Sequence, residues 1–206
     1  MPDSDPALLD LILHAREERN IEYKGSSGQE PFAWGVDAVN SRIARTTMAM
    51  ANIGGGSIVI GMDQVAPDAW EPNGVSDEVD ASYQQDRVQE YVNGRADPFV
   101  ELAVRHVGWE ERRFVIVQVN GFRELPLVCT RNGMHLREAA IYTRTYARHE
   151  SAEIRTQSEM RELLDRAIAV GVEQRLQPII AALRGLISPQ TQPSDAKRFE
   201  QQRGNL

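Results

Sequence analysis

Residues 49–63 read AMANIGGGSIVIGMD: a helix-like run, three glycines, a β-branched run and an acid. That order constrains the fold more than any other stretch. Phosphate-binding glycine loops run from strand to helix, so that a helix N-terminus faces the anion. A Walker loop also needs Lys and Ser/Thr directly after its glycines. Here the glycines follow the helix, and no Lys-Ser/Thr pair is present. The stretch therefore predicts a helix closed by a left-handed glycine at Gly54. A sharp turn and a buried strand over SIVIGM come next. Asp63 then stands at the end of that strand.

The rest of the chain reads as further short elements. Asp5 and Pro6 mark the N-cap and first position of a helix reaching about Glu18, with Leu8, Leu9, Ile12 and Leu13 at helical spacing. NIEYK alternates Ile21 and Tyr23 against Glu22 and Lys24, as a strand does. GSSGQEPFAWG is a loop. Asp37 is expected to cap a second helix bearing Val39, Ile43, Thr47 and Met50 on one side. DQVAPDAWEPNGVSD reads as a turn region, followed by a helix from about Ser82 to Asn93. DPFVELAVRHV and RRFVIVQVN are expected to pair around GWEE. LPLVCTR and AAIYTRTY supply two more strands, with Asn132-Gly133 as a tight turn.

Thr156 and Glu159 fit a capping box. The helix it opens carries Met160, Leu163, Leu164, Ala167 and Ile168 on one face. Gly171 and Pro178 are expected to interrupt it, with a further helical piece from about Pro178 to Leu186. The order α-β-α-β-α-β-β-β-β-α predicts an α+β fold, with a mixed, mostly antiparallel sheet flanked by helices. One domain is expected over residues 1–187, including the C-terminal helices. Residues 188–206 are expected to be a polar, disordered tail.

Composition removes several classes of function. The 206 residues are 41% apolar, enough for an ordinary packed core. No apolar run approaches the length of a membrane span. MPDSDPALLD lacks the basic n-region of a secretory signal, so the expected location is the cytoplasm. The single cysteine, Cys129, excludes an internal disulfide and a cysteine zinc site, and reads as a buried small hydrophobe. A net charge of −7 opposes indiscriminate binding to nucleic acid. Residues 130–149 run against that balance: Arg131, Arg137, Arg144 and Arg148 face a single acid, Glu138. Such a run is either a solvated surface or a local binding face.

Three acids carry the chemistry. Glu17 and Glu22 flank the first helix-to-strand junction, and Asp63 closes the strand after the glycines. If NIEYK pairs beside SIVIGM, the three carboxylates converge. Clustered carboxylates repel one another unless a cation is present. Three oxygen donors suit Mg²⁺ or Mn²⁺, which can activate water for phosphodiester cleavage. Lys24 shares the strand face of Glu22 and is placed to meet a phosphate. Against this, Glu17 lies in the charged run REERN, where simple exposure is the default.

REERNIEYK, IARTTMAMANIGGGSIVIGMD and IYTRTYARHES together resemble the Schlafen AlbA-type domain, also described as a divergent AAA or DNA-binding domain. The resemblance spans roughly residues 8–165, and its middle motif is the most specific. Tyr23 stands where the family has Phe, Met50 where an aromatic is common, and Gln64 where a second acid is often seen. Gly56 adds a third glycine, and VAPDAWEPNGV is longer than the usual turn. The resemblance implies a Schlafen-lobe-like fold and work on nucleic acid. Family ribonucleases cut transfer and ribosomal RNA with a Glu-Glu-Asp metal site, onto which Glu17, Glu22 and Asp63 map. It also implies phosphate contacts for Arg144 and Arg148. Tyr142 and Tyr146 alternate with them, to stack on bases or to pack in the core.

The expected activity is therefore a divalent-metal-dependent endoribonuclease acting on structured RNA such as transfer RNA, and a defence role would fit the family. The alternatives are a non-catalytic DNA- or RNA-binding or regulatory module and a nucleotide-binding sensor. Vertebrate members carry two lobes in one chain. A homodimer would rebuild that groove, with the helix from Glu159 to Val170 and the segment beyond it as a candidate dimer element.

Overall fold

The computed structural model describes residues 5–25, 32–145 and 150–187. It divides into two compact units, one ending at Ile168 and one beginning at Ala169.

In the first unit, α1 (Pro6–His14) begins as expected: the Asp5 carboxylate accepts from the Ala7 N–H at 3.0 Å, and Pro6 takes the first turn. It ends earlier than expected, because Ala15 turns left-handed at φ 50°. β1 (Ile21–Lys24) then pairs in parallel with β2 (Gly55–Ile60), placing Glu22 opposite Ile58 and Lys24 opposite Ile60. Between them runs α2 (Asp37–Ile53). Val36 is its N-cap, and Asp37 is its first residue rather than its cap.

The glycine run has the structural role its order predicts. Gly54 caps α2 at φ 109°, and its N–H bonds back to the Ala51 carbonyl at 3.2 Å. Gly56 lets β2 lie against the preceding loop: a Cβ there would stand 2.4 Å from the Asn20 carbonyl oxygen. The strand does not run on to Met62 as expected. Gly61, at φ 110°, breaks it, and β3 (Met62–Ala66) turns back as a hairpin with β4 (Ala69–Pro72). Asp63 thus belongs to a second strand, in a region expected to be a turn.

Two short helices, α3 (Asp77–Ser82) and α4 (Gln85–Asn93), replace the single one expected over 82–93. β5 (Ala96–Asp97) precedes a cis Asp97-Pro98 bond. β6 (Leu102–Trp109) and β7 (Arg112–Asn120) form the hairpin predicted around GWEE. The main sheet has the order β1-β2-β7-β6, parallel only between β1 and β2. β8 (Val128–Cys129) pairs with β5, and β9 (Tyr142–Arg144) pairs with β10 (Ser151–Glu153), a strand not anticipated. The Asn132-Gly133 turn therefore does not join two mutually paired strands.

Strand alternation gives the sheet two covered faces. Ile21, Tyr23, Val59, Phe114 and Ile116 pack with Leu8 and Ile12 of α1. Ile58, Ile60, Val115 and Val117 face the other way, toward α2, which also contacts β9 and β10. Asn52, near the end of α2, ties the layers together. Its amide donates to the Leu127 and Tyr142 carbonyls at 3.0 and 2.9 Å and accepts from the Leu127 N–H at 2.7 Å.

α5 (Gln157–Ile187) opens with the predicted capping box. The Thr156 hydroxyl accepts from the Glu159 N–H at 3.2 Å, and the Glu159 carboxylate accepts from the Thr156 N–H at 3.0 Å. The helix is not interrupted at Gly171 or Pro178. In the second unit Val172, Leu176, Ile179 and Ile180 are exposed along it. Among the described residues, no helix is long and apolar enough to cross a membrane.

Candidate functional site

Glu22 and Lys24 leave β1 on the face covered by α2 and the β9–β10 hairpin, at the edge of the main sheet. Glu22 is only 7% exposed and Arg144 is fully buried. One Glu22 oxygen takes Arg144 Nη1 and the other takes Lys24 Nζ. The rest of the Arg144 guanidinium is also engaged. Its Nε donates to the Arg19 carbonyl at 2.6 Å, and Nη2 donates to the Glu18 carbonyl at 3.2 Å. Arg19 Nε returns a bond to the Arg144 carbonyl at 2.8 Å. Burial pushes the Arg144 pKa down to about 10. Burial likewise pulls Lys24 down to about 8, with Arg42 and Arg45 adding to the shift and Glu17 and Glu150 opposing it. A carboxylate held between two cations is what permits so deep a burial of charge.

The three acids of the expected metal site are all tied to residues 22–25. Glu17 Oε1 accepts from the Tyr23 N–H at 3.0 Å, covering the free edge of β1. Asp63 lies against the end of β1: a Cβ on Gly25 would stand 2.8 Å from Asp63 Oδ1. Asp63 Oδ2 accepts from Asn73 at 2.9 Å. The donors do not fit a cation as arranged. Glu22 is neutralised by Arg144 and Lys24, Glu17 serves the backbone, and Asp63 has its own amide partner. Among the described residues, no three His, Cys, Asp or Glu side chains are grouped to hold a metal.

Arg144, expected at a phosphate, stands in the interior for the reason just given: the buried Glu22 carboxylate and three backbone carbonyls take up its donors. Tyr142 is a core residue whose hydroxyl accepts from the Arg137 N–H at 2.7 Å. Arg148 and Tyr146 lie outside the described residues. Cys129 is buried, and its thiol is pushed up by burial, in keeping with a packing role.

Beside the triad, a polar cleft of about 380 Å³ is lined by Arg45, His135, Arg137, Glu150, Glu153 and Arg155. Arg45 Nε is buried and has no hydrogen-bond partner among the described residues. Arg42 Nε donates to His135 Nε2 at 3.1 Å, and burial together with Arg42 and Arg45 depresses the His135 pKa. Among the described residues, Arg137 has a close acidic partner here, Glu153 at 2.7 Å. Arg42 and Arg45 escaped the sequence reading. They sit inside the helical run SRIARTT, where an arginine gives no sign of which loop it will face.

Against known families, residues 17–157 match the model described as Schlafen, AlbA_2. The chain belongs to the Schlafen AlbA_2 family. Solved structures to which the chain is similar include the DIP2311 protein from Corynebacterium diphtheriae. It is 15% identical with a TM-score of 0.47, and the match covers 72% of this chain and 26% of that protein. The present chain thus matches about a quarter of that protein's length. Another is the N-terminal domain of a RecG-related protein from Nitrosomonas europaea, 18% identical with a TM-score of 0.41, covering 66% of this chain and 86% of that domain. No curated protein matches the sequence.

Proposed function

We propose that this Schlafen AlbA_2 domain binds nucleic acid through the arginine-lined cleft beside β9 and β10 and does so without cleaving it. The observation that carries this reading is Arg45, whose buried Nε lacks a partner among the described residues, at a cleft also lined by Arg137 and Arg155. Guanidinium groups pair with phosphate in a planar, two-pronged geometry, and a partly desolvated one gains most from doing so. The net charge of −7 keeps the rest of the surface from binding indiscriminately. In this reading the Glu22–Arg144–Lys24 cluster is a structural element behind the cleft.

A second reading is metal-dependent cleavage of structured RNA such as transfer RNA. It is favoured by the attachment of Glu17, Glu22 and Asp63 to one four-residue stretch of β1 and its exit. It requires Arg144 and Lys24 to release Glu22.

Fluorescence anisotropy and gel assays with transfer RNA, single-stranded DNA and duplex DNA, with and without Mn²⁺ or Mg²⁺, separate the two. The binding reading expects intact substrates throughout and affinity at least tenfold weaker in Arg45→Ala. It also expects log K to fall against log salt with a slope of about −2 to −4, as a few phosphate contacts give. Metal-dependent cleavage lost in both Glu22→Ala and Asp63→Ala would establish the second reading instead. Failure to bind any of the three substrates would end both.

A further inference from the structure

A second cleft, of about 530 Å³, is not used by the phosphate-binding reading. Trp34, Tyr91, Arg87, Glu90, Arg95 and Arg131 line it. Trp34 and Tyr91 meet edge to face, with ring centroids 5.5 Å apart at 82°. The Tyr91 ring is backed by Arg95, whose Cζ stands 3.5 Å from the ring centroid. Arg95 Nη1 donates to the Tyr91 carbonyl at 3.3 Å, while its Nε is buried without a hydrogen-bond partner. The Tyr91 hydroxyl donates to Asp37 at 3.1 Å and contacts Ser41 at 3.2 Å, which fixes the ring against α2. Trp34 is held through its backbone N–H, which donates to the Ser82 hydroxyl at 3.0 Å. Arg87, Arg95, Arg131 and Glu90 thus line a cleft around a half-buried aromatic pair, with Asp37 at the Tyr91 hydroxyl.

We propose that this cleft binds a single unpaired nucleotide, with the base stacked at Trp34 and the phosphate on Arg87 and Arg131. Aromatic surface and guanidinium groups are what a splayed base and its phosphate require. The volume lies within the range of ordinary small-molecule sites. The loop from Arg131 to His135 runs between lining residues of the two clefts and lies against α2: a Cβ built on its Gly133 would stand 3.2 Å from the Ser41 hydroxyl, which itself contacts Tyr91. A strand crossing this loop would engage both clefts. The same nucleotide chemistry can be presented by a free nucleotide or by an unpaired residue in a strand. The proposal that a strand presents it rests on the nucleic-acid reading above.

The test is tryptophan fluorescence with adenosine and uridine monophosphates, ten-residue single strands and a duplex, on the full chain. Single strands are expected to quench emission, and Trp34→Phe to lose most of the quenching while Trp70 and Trp109 remain. Trp34→Leu and Arg131→Ala are each expected to weaken single-strand binding about tenfold, the usual value of one stacked base, and to change duplex binding less than twofold. Quenching by strands but not monophosphates makes the ligand a strand nucleotide, and quenching by monophosphates makes it a free nucleotide as well. Unchanged quenching in Trp34→Phe, or equal loss of single-strand and duplex affinity in both Trp34→Leu and Arg131→Ala, would overturn the site. Failure of the Arg45 reading looks different: Arg45→Ala would bind duplex like the wild type while quenching at Trp34 persisted.

Discussion

Arg144 and Glu22 lie 122 positions apart in the chain and form an ion pair in the interior, with Arg144 fully buried. Removing one member strands the other's charge away from water, which costs about 3–5 kcal/mol. Arg144→Met and Glu22→Gln are each expected to destabilise in urea melts, by up to about that amount. The Glu22→Gln/Arg144→Met double variant should cost less than Arg144→Met alone. A double variant as unstable as the sum of the two singles would show that the pair is not coupled.

Asn52 closes α2 against two other segments through three buried hydrogen bonds. Asn52→Ala leaves two carbonyls and one N–H without their partner, at about 1–3 kcal/mol for such groups. A loss of about 3 kcal/mol is expected from chemical denaturation. Asn52→Asp should be worse, since a carboxylate would face the Leu127 and Tyr142 carbonyls.

The glycines are expected to differ sharply. Gly56→Ala would drive a Cβ to 2.4 Å from the Asn20 carbonyl oxygen and should unfold or severely destabilise the domain. Gly171→Ala meets nothing within 4 Å and lies inside α5. It should increase helicity by circular dichroism, with a gain of up to about 1 kcal/mol.

His135 gives the cleft a pH dependence. Its pKa is depressed by burial and by Arg42 and Arg45. The folded, ligand-free protein therefore binds this proton less readily than the unfolded chain does. The contribution is full at pH above the ordinary histidine value of about 6.5 and is lost as pH falls through the depressed value. A bound phosphate reverses the local field, so affinity for nucleic acid should rise over the same acid range. Melting temperatures and anisotropy from pH 5 to 8, compared with His135→Phe, check both signs. A variant with the same two profiles would remove His135 from the cleft.

The homodimer also belongs among the proposals. Val172, Leu176 and Ile179 are exposed along α5 at the 4- and 3-residue steps of a coiled-coil seam. Light scattering should give a dimer for the wild type and a monomer for Leu176→Asp. A monomeric wild type would remove the dimer.

Several features were legible because local chemistry decides them. Asp5 with Pro6, and Thr156 with Glu159, cap helices through hydrogen bonds spanning two to three residues. Gly54 ends α2 because a left-handed residue there favours glycine. The order of helix, glycines and strand by itself argues against a phosphate loop. Tertiary structure decided the rest. Pairing of β1 with β2 brought Glu22 under β9, and only that packing could turn Arg144 inward. Gly61 moved Asp63 onto its own hairpin, and the fold gave each of the three acids a different partner. Arg45 and Trp34 acquired their surroundings from segments about 50 to 110 residues away. Sequence patterns set caps, turns and alternation, since those depend on neighbours. The partner of a charged side chain depends on which distant backbone arrives beside it, and desolvation then fixes the pairing.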